Sequence, residues 1–158
     1  MIPRGKGESG VKIRLRVTEA RRPALEAALA EKGIQLDEDA DLVLTERNRY
    51  MEVMTLRDGR ARCRVAVEDI VFIESFGKEI VVHGREGVYR ADERLKELEM
   101  LLDPERFLRI SHSVIVSRES IRRIEPAFSA KFILTLDGGA EVDVTRSYYD
   151  IFREGLGI

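Results

Sequence analysis

Apolar and charged residues alternate along residues 11–17, VKIRLRV: Val11, Ile13, Leu15 and Val17 share one face, and Lys12, Arg14 and Arg16 take the other. A period of two predicts a strand with one side on a core. Thr18 can then cap a helix over residues 19–32, with Pro23 in the first turn, Gly33 as the stop and Leu25, Ala28 and Leu29 as the buried stripe. A short apolar piece at Ile34–Leu36, the acidic turn DEDAD and a second apolar run at Leu42–Leu44 complete a small α/β module.

Tyr50–Leu56 and Ala61–Val67 flank Asp58-Gly59, a dipeptide that favours hairpin turns. Beyond this hairpin, turn signals recur every eight to twelve residues, the rhythm of a β-rich domain. Strands are predicted at Ile70–Phe76, Ile80–His83 and Val88–Arg90. Further strands are predicted at Phe107–Ile110, Val114–Val116, Ile121–Glu125, Lys131–Leu136 and Glu141–Val144. One helix interrupts them, ADERLKELEMLLD, with Leu95, Leu98, Leu101 and Leu102 at helical spacing and Pro104 beyond its end. A short helix over Tyr148–Leu156 closes the chain. The expected organisation is a flexible tail at residues 1–10, a module at 11–64 that serves packing, dimerisation or regulatory docking, and a mainly β domain with few helices at 65–158.

The opening β-α-β pattern invites comparison with a phosphorylation receiver, and its chemistry argues against that. A receiver needs a carboxylate cluster after its first strand and an acceptor aspartate after its third; here the strands end in Thr18-Glu19 and Thr45-Glu46. About 50 residues are also too few for a doubly wound domain.

Composition narrows the classes. At 44% hydrophobic and 35% charged, the 158 residues suit a globular protein, and no apolar run approaches the roughly 20 residues of a membrane helix, so the cytoplasm is the expected compartment. Cys63 is the single cysteine and lacks an internal disulfide partner; with no CxxC or HExxH pattern, no metal or other cofactor is expected. A nucleophile–base pair could be drawn only from Cys63 with His83 or His112, without an orienting acid nearby, so an enzyme is not expected. Residues 1–64 carry 14 basic and 11 acidic side chains, a net of +3, whereas residues 65–158 carry 13 and 18, a net of −5. The second part therefore lacks a global basic footprint, and any polyanion site there must be a local cluster.

Such a cluster is suggested by residues 106–124, RFLRISHSVIVSRESIRRI, where an apolar strand is flanked by Ser111-His112-Ser113 and by Arg118, Arg122 and Arg123. Arginine and hydroxyl groups suit phosphate oxygens, and a few projecting side chains read base edges. The ordinary alternative is a sheet strand with a solvated turn.

Three stretches in order, VEDIVFIESFGKEIVVH, LKELEMLLDPERFLRISHSVIVSRESI and FILTLDGGAEVDVTRSYYDIF, make residues 65–158 resemble the LytTR family of bacterial DNA-binding domains. The resemblance implies an elongated LytTR-like β fold that reads double-stranded DNA through loops, with two copies on paired direct repeats, hence a homodimer on DNA. Carried over by position, the loops are Gly77-Lys78-Glu79, Ile110–Ser113 and Thr145-Arg146-Ser147. Arg146 is the foremost expected base contact, because guanidinium pairs bidentately with guanine O6 and N7. His112 follows; imidazole both donates and accepts, and its protonated form would favour phosphate toward acid pH. Lys78 can reach a base edge or phosphate. Arg109, Ser111, Ser113, Arg118, Thr145 and Ser147 are expected at phosphates or as positioning groups. Ser111 and His112 depart from the family's usual His followed by Lys, Arg or Asn, and Ser117 replaces a common Asn. A protein-interaction module that keeps the fold without binding DNA is the competing expectation.

Overall fold

The computed structural model describes residues 10–46 and 50–158, so most of the expected tail lies outside the described residues. Two units separate at residues 49 and 50.

In the first unit, β1 (Lys12–Arg16) leads into α1 (Arg22–Glu31), then β2 (Gln35–Leu36) and β3 (Leu42–Thr45), forming a parallel sheet of order β2-β1-β3. Ile13, Leu15 and Val17 are buried as the alternation requires. The expected helical stripe is weaker: Leu25 and Leu29 are half-buried and Ala28 is exposed. Thr18 does not cap the helix through its side chain. Its carbonyl accepts from Arg21 and Arg22 N–H, 3.1 Å each, while its N–H and hydroxyl donate to Glu46 Oε1 at 2.7 and 2.9 Å. A carboxylate at the end of β3 thus claims the group that would otherwise satisfy the helix start.

The second unit begins with the hairpin of β4 (Val53–Asp58) and β5 (Ala61–Ala66), turned by Gly59 at φ 62°. Expected with the first module, this hairpin instead continues the larger sheet. β6 (Ile70–Phe76), β7 (Glu79–Gly84) and β8 (Val88–Ala91) follow, then α2 (Leu95–Leu101), β9 (Phe107–Arg109) and β10 (Val114–Ser117). Their seven-stranded sheet has the order β5-β4-β8-β7-β6-β10-β9. Met54 and Leu56 point into the same core as Val67, Ile70 and Ile73, which is why the hairpin belongs here. β11 (Ile121–Ala127), β12 (Lys131–Leu136) and β13 (Glu141–Val144) make a second antiparallel sheet, and α3 (Tyr149–Leu156) closes the chain.

Helix α2 contributes Leu95 and Leu98 to the first core and its C-cap residue Leu102 joins them, while Leu101 is 40% exposed. The four leucines span more than one helical face, and only those at i, i+3 and i+7 line up on the sheet. Glu97 Oε1 accepts the Arg94 N–H at 2.9 Å and secures the first turn.

Strands β6 and β10 divide two cores. Ile70, Ile73 and Ile115 face α2 and the hairpin, whereas Val71, Phe72 and Val116 face β11–β13 and Phe152 of α3. A register shift between Ile70 and Phe72 places two consecutive residues, Val71 and Phe72, on one side. A strand buried on both sides has no polar face, and the runs IVFI and VIV therefore lack alternation.

Arg62 Nη1 and Arg57 Nε each donate to the Asp92 carboxylate at 2.7 Å, joining the hairpin to the end of β8. Arg62 first and Arg57 second hold the Asp92 carboxyl below its usual range. A carboxyl depressed on folding stabilises above its unfolded pKa, near 3.9, and loses that contribution as pH falls through the folded value. Urea midpoints measured from pH 7 downward should show an acid-labile component below about pH 4 that Asp92→Asn lacks. Leu56→Ala should cost the unit of residues 50–158 about 2–5 kcal/mol in chemical denaturation; a loss within 0.5 kcal/mol would contradict the hairpin's place in that core.

Candidate functional site

Backbone pairing decides which turns meet. β10 runs against β6 with Val114 opposite Glu74, and the Ser75 N–H donates to Ser113 O at 2.8 Å. The β9–β10 turn, residues 110–113, therefore lies beside the β6–β7 turn at Gly77-Lys78. The Thr145 N–H donates to Ile110 O at 3.0 Å, which brings in the turn after β13. Thr145, Arg146 and Ser147 thus share an edge with Lys78, His112 and Ser113. Ile110 is the pivot: its side chain is fully buried, its N–H donates to Val114 O at 3.0 Å, and its carbonyl holds Thr145.

The middle turn is braced from inside. Arg109 Nε donates to Ser111 O at 2.7 Å, Nη2 to His112 O at 2.6 Å, and Nη1 to Glu99 Oε1 of α2 at 2.7 Å. The Arg109 side chain is only 15% exposed. Three of its five N–H donors are engaged within the protein by these bonds, one from each guanidinium nitrogen. Ser111 is likewise buried: its hydroxyl accepts the Ser113 N–H at 3.1 Å and lies 3.3 Å from Ser113 Oγ, closing a serine turn. His112 is left exposed, its ring edge-on to Tyr148 at 5.7 Å between centroids.

Arg118 is not brought to this edge. It follows Ser117 at the opposite end of β10, donating from Nη2 to Gly155 O and from Nη1 to Glu105 O at 3.4 Å. Four strand residues separate it from the turn, so Arg118 ties strand to helix. Thr145 is half-buried, with its hydroxyl oxygen buried and unpaired among the described residues. Lys78, Arg146 and Ser147 are exposed.

Several carboxylates near the edge are paired, although Glu93 lines a cavity together with Lys78 and has no ion pair among the described residues. Glu79, beside Lys78, pairs with Arg90 Nε at 3.3 Å, and Glu99 pairs with Arg109. Glu74 meets His83 Nε2 at 3.3 Å, and the His83 ring stacks on Phe72 at 4.0 Å. Lys78 and Arg146 stand exposed at the turns and make no ion pair among the described residues. Two side chains at this edge were not among the expected residues: Tyr148, which orients His112, and Phe76, which is 73% exposed at the first turn. Both look like core aromatics in the sequence, since nothing local distinguishes a buried ring from a displayed one. Among the described residues no group of His, Cys, Asp and Glu could hold a metal ion, and no helix is long and apolar enough to cross a membrane.

Residues 60–157 match the LytTr DNA-binding domain family. The chain is similar to the sensory transduction proteins LytT of Enterococcus faecalis, 27% identical over 134 residues, and of Bacillus subtilis, 26% over 120 residues. These matches take in 85% and 75% of this chain but only 54% and 50% of those proteins. It is also similar to the transcriptional regulatory protein LytR of Staphylococcus aureus, 25% identical over 91 residues, covering 58% of this chain and 37% of that protein. Among solved structures, the LytTr DNA-binding domain of a methyl-accepting/DNA response regulator from Bacillus cereus aligns with a TM-score of 0.66 and 30% identity, over 68% of this chain and 99% of that one. The match bears out the expected LytTR-like β fold.

If Arg109 braces the middle turn, Arg109→Ala should accelerate amide hydrogen exchange at Ser111, His112 and Ser113, consistent with about 1.5–3 kcal/mol per lost charged hydrogen bond. Arg146→Ala should leave those amides unchanged. Equal exchange in wild type and Arg109→Ala would remove the brace from the account.

Proposed function

This chain belongs to the LytTr DNA-binding domain family through residues 60–157, and from that premise we propose that it is a cytoplasmic transcription regulator that binds double-stranded DNA sequence-specifically along the edge formed by its three turns. The family is one of DNA-binding regulators and not of enzymes. The observation that carries the reading is the hydrogen-bonded adjacency of the turns, Ser75 to Ser113 and Ile110 to Thr145, with exposed Lys78, His112 and Arg146 upon them. Spacing of this kind lets one rigid edge present separate side chains to neighbouring grooves of a duplex.

In this reading Arg146 reads guanine through O6 and N7, and His112 reads a second base with its ring oriented by Tyr148. Lys78 meets a base edge or phosphate at the first turn. Ser113 and Ser147 meet phosphate or sugar and set the register, while Thr145, whose hydroxyl is buried, holds the third turn to Ile110 through its N–H. Arg109 and Ser111 act indirectly by shaping the turn that carries His112. Two copies occupy paired direct repeats, as the family resemblance implies, so a homodimer forms on the DNA.

Selection of bound duplexes from a random pool at moderate salt should enrich one motif, present twice in the recovered sequences. Arg146→Ala should cost about 1–3 kcal/mol on that motif and relax the preference at one position, with little effect on random duplex. Lys78→Ala, if Lys78 meets phosphate, should lower the slope of log affinity against log salt by about 1. An equal loss on selected and random duplexes for Arg146→Ala would exclude it as a base reader. Affinity that fails to fall with salt would favour a protein-docking module instead.

A further inference from the structure

We propose that Phe128, at the tip of the β11–β12 hairpin, is a fourth DNA contact that packs on the apolar faces of deoxyribose and a base step; the inference rests on the DNA-binding reading above. Pairing of β11 with β12 extends to Ala127 opposite Lys131, so the chain reverses over Phe128, Ser129 and Ala130. On the other side of β12, Phe132 pairs with Val144, the residue before Thr145. The hairpin tip therefore extends from the same end of this sheet as the turn that carries Arg146. Through the bond from Thr145 to Ile110, it joins the edge already formed by the other turns.

The tip is built for display. Phe128 is 95% exposed, the most exposed large apolar side chain among the described residues. Phe132, four positions on, is buried and stacks on Tyr149 at 4.7 Å, so the local core is closed without Phe128. Ser129 and Ala130 hold left-handed backbone, φ 65° and 54°, a region that non-glycine residues enter at a cost. That backbone opposes folding stability, the exposed ring adds nothing to it, and strained turns concentrate where a ligand is met. Lys131 follows the tip, and Arg146 lies on the turn at the same end of the sheet, so cations stand along this edge, which suits a polyanion that also offers apolar surface. Duplex DNA offers both: phosphates outside, and sugar faces and base steps against which inserted phenylalanines pack. Flexible pyrimidine–purine steps would accept such a ring most readily.

The test uses the full chain and a duplex carrying a single copy of the motif recovered by the selection. Phe128→Ala should weaken binding roughly tenfold, as expected for loss of one aromatic–base contact, and Phe128→Leu should weaken it less. The salt slope should stay at the wild-type value, because a phenyl ring releases no counterions. The melting temperature should be unchanged, since the side chain lies in solvent. Unchanged affinity on the single site would overturn the proposal. So would a loss confined to duplexes with two sites, which would make Phe128 a contact between copies, or a loss accompanied by a shallower salt slope. Wild-type protein that enriches no sequence at all would overturn the DNA reading, and this inference with it.

Discussion

The pairing of β6 with β10, buried on both sides, is the constraint from which the arrangement of the second unit follows. Ile73 and Ile115 close one core and Phe72 and Val116 the other, so slipping the register by one residue would exchange the two sets and disrupt both. Because Val114 stands opposite Glu74, the turns at the ends of these strands must be neighbours. Apolar packing at the centre thereby sets the spacing of polar groups at the rim.

Backbone bonds complete what the sheet begins. Ile110 gives its carbonyl to Thr145, and Arg109 spends its guanidinium on the carbonyls of Ser111 and His112 and on Glu99. A charged side chain used this way adds rigidity, because three donors on one planar group orient two consecutive peptide units and anchor them to α2. The cations left facing solvent then stand on turns whose geometry is held from within. Net charge is a poor guide to such a surface: the carboxylates Glu79 and Glu99 are answered by Arg90 and Arg109, while Lys78 and Arg146 remain available.

Much of this was legible in the chain. Alternation in VKIRLRV, the Asp-Gly turn before β5 and the uninterrupted runs IVFI and VIV each reflect a local burial pattern that sequence periodicity encodes. The family resemblance located the three turns and named Arg146, His112 and Lys78. The errors have tertiary causes. Thr18 was expected to cap α1 and instead meets Glu46; Leu101 has the spacing of a core residue yet faces outward because α2 presents a narrow stripe to the sheet. The β4–β5 hairpin precedes the stretches that carry the family resemblance, yet Met54 and Leu56 fill the second unit's core.

What the sequence determined by itself is the list of elements, their inward faces and the residue types available at each turn, since these depend on side-chain period and backbone preference within a few residues. What tertiary structure decided is how each polar group is used. Arg109 at the end of β9 and Arg146 after β13 are the same residue type beside neighbouring turns, and only packing against Glu99 and the carbonyls of residues 111 and 112 turns one inward while the other stays exposed. Burial and partnership arise between segments far apart in the chain, so no local pattern could have separated them.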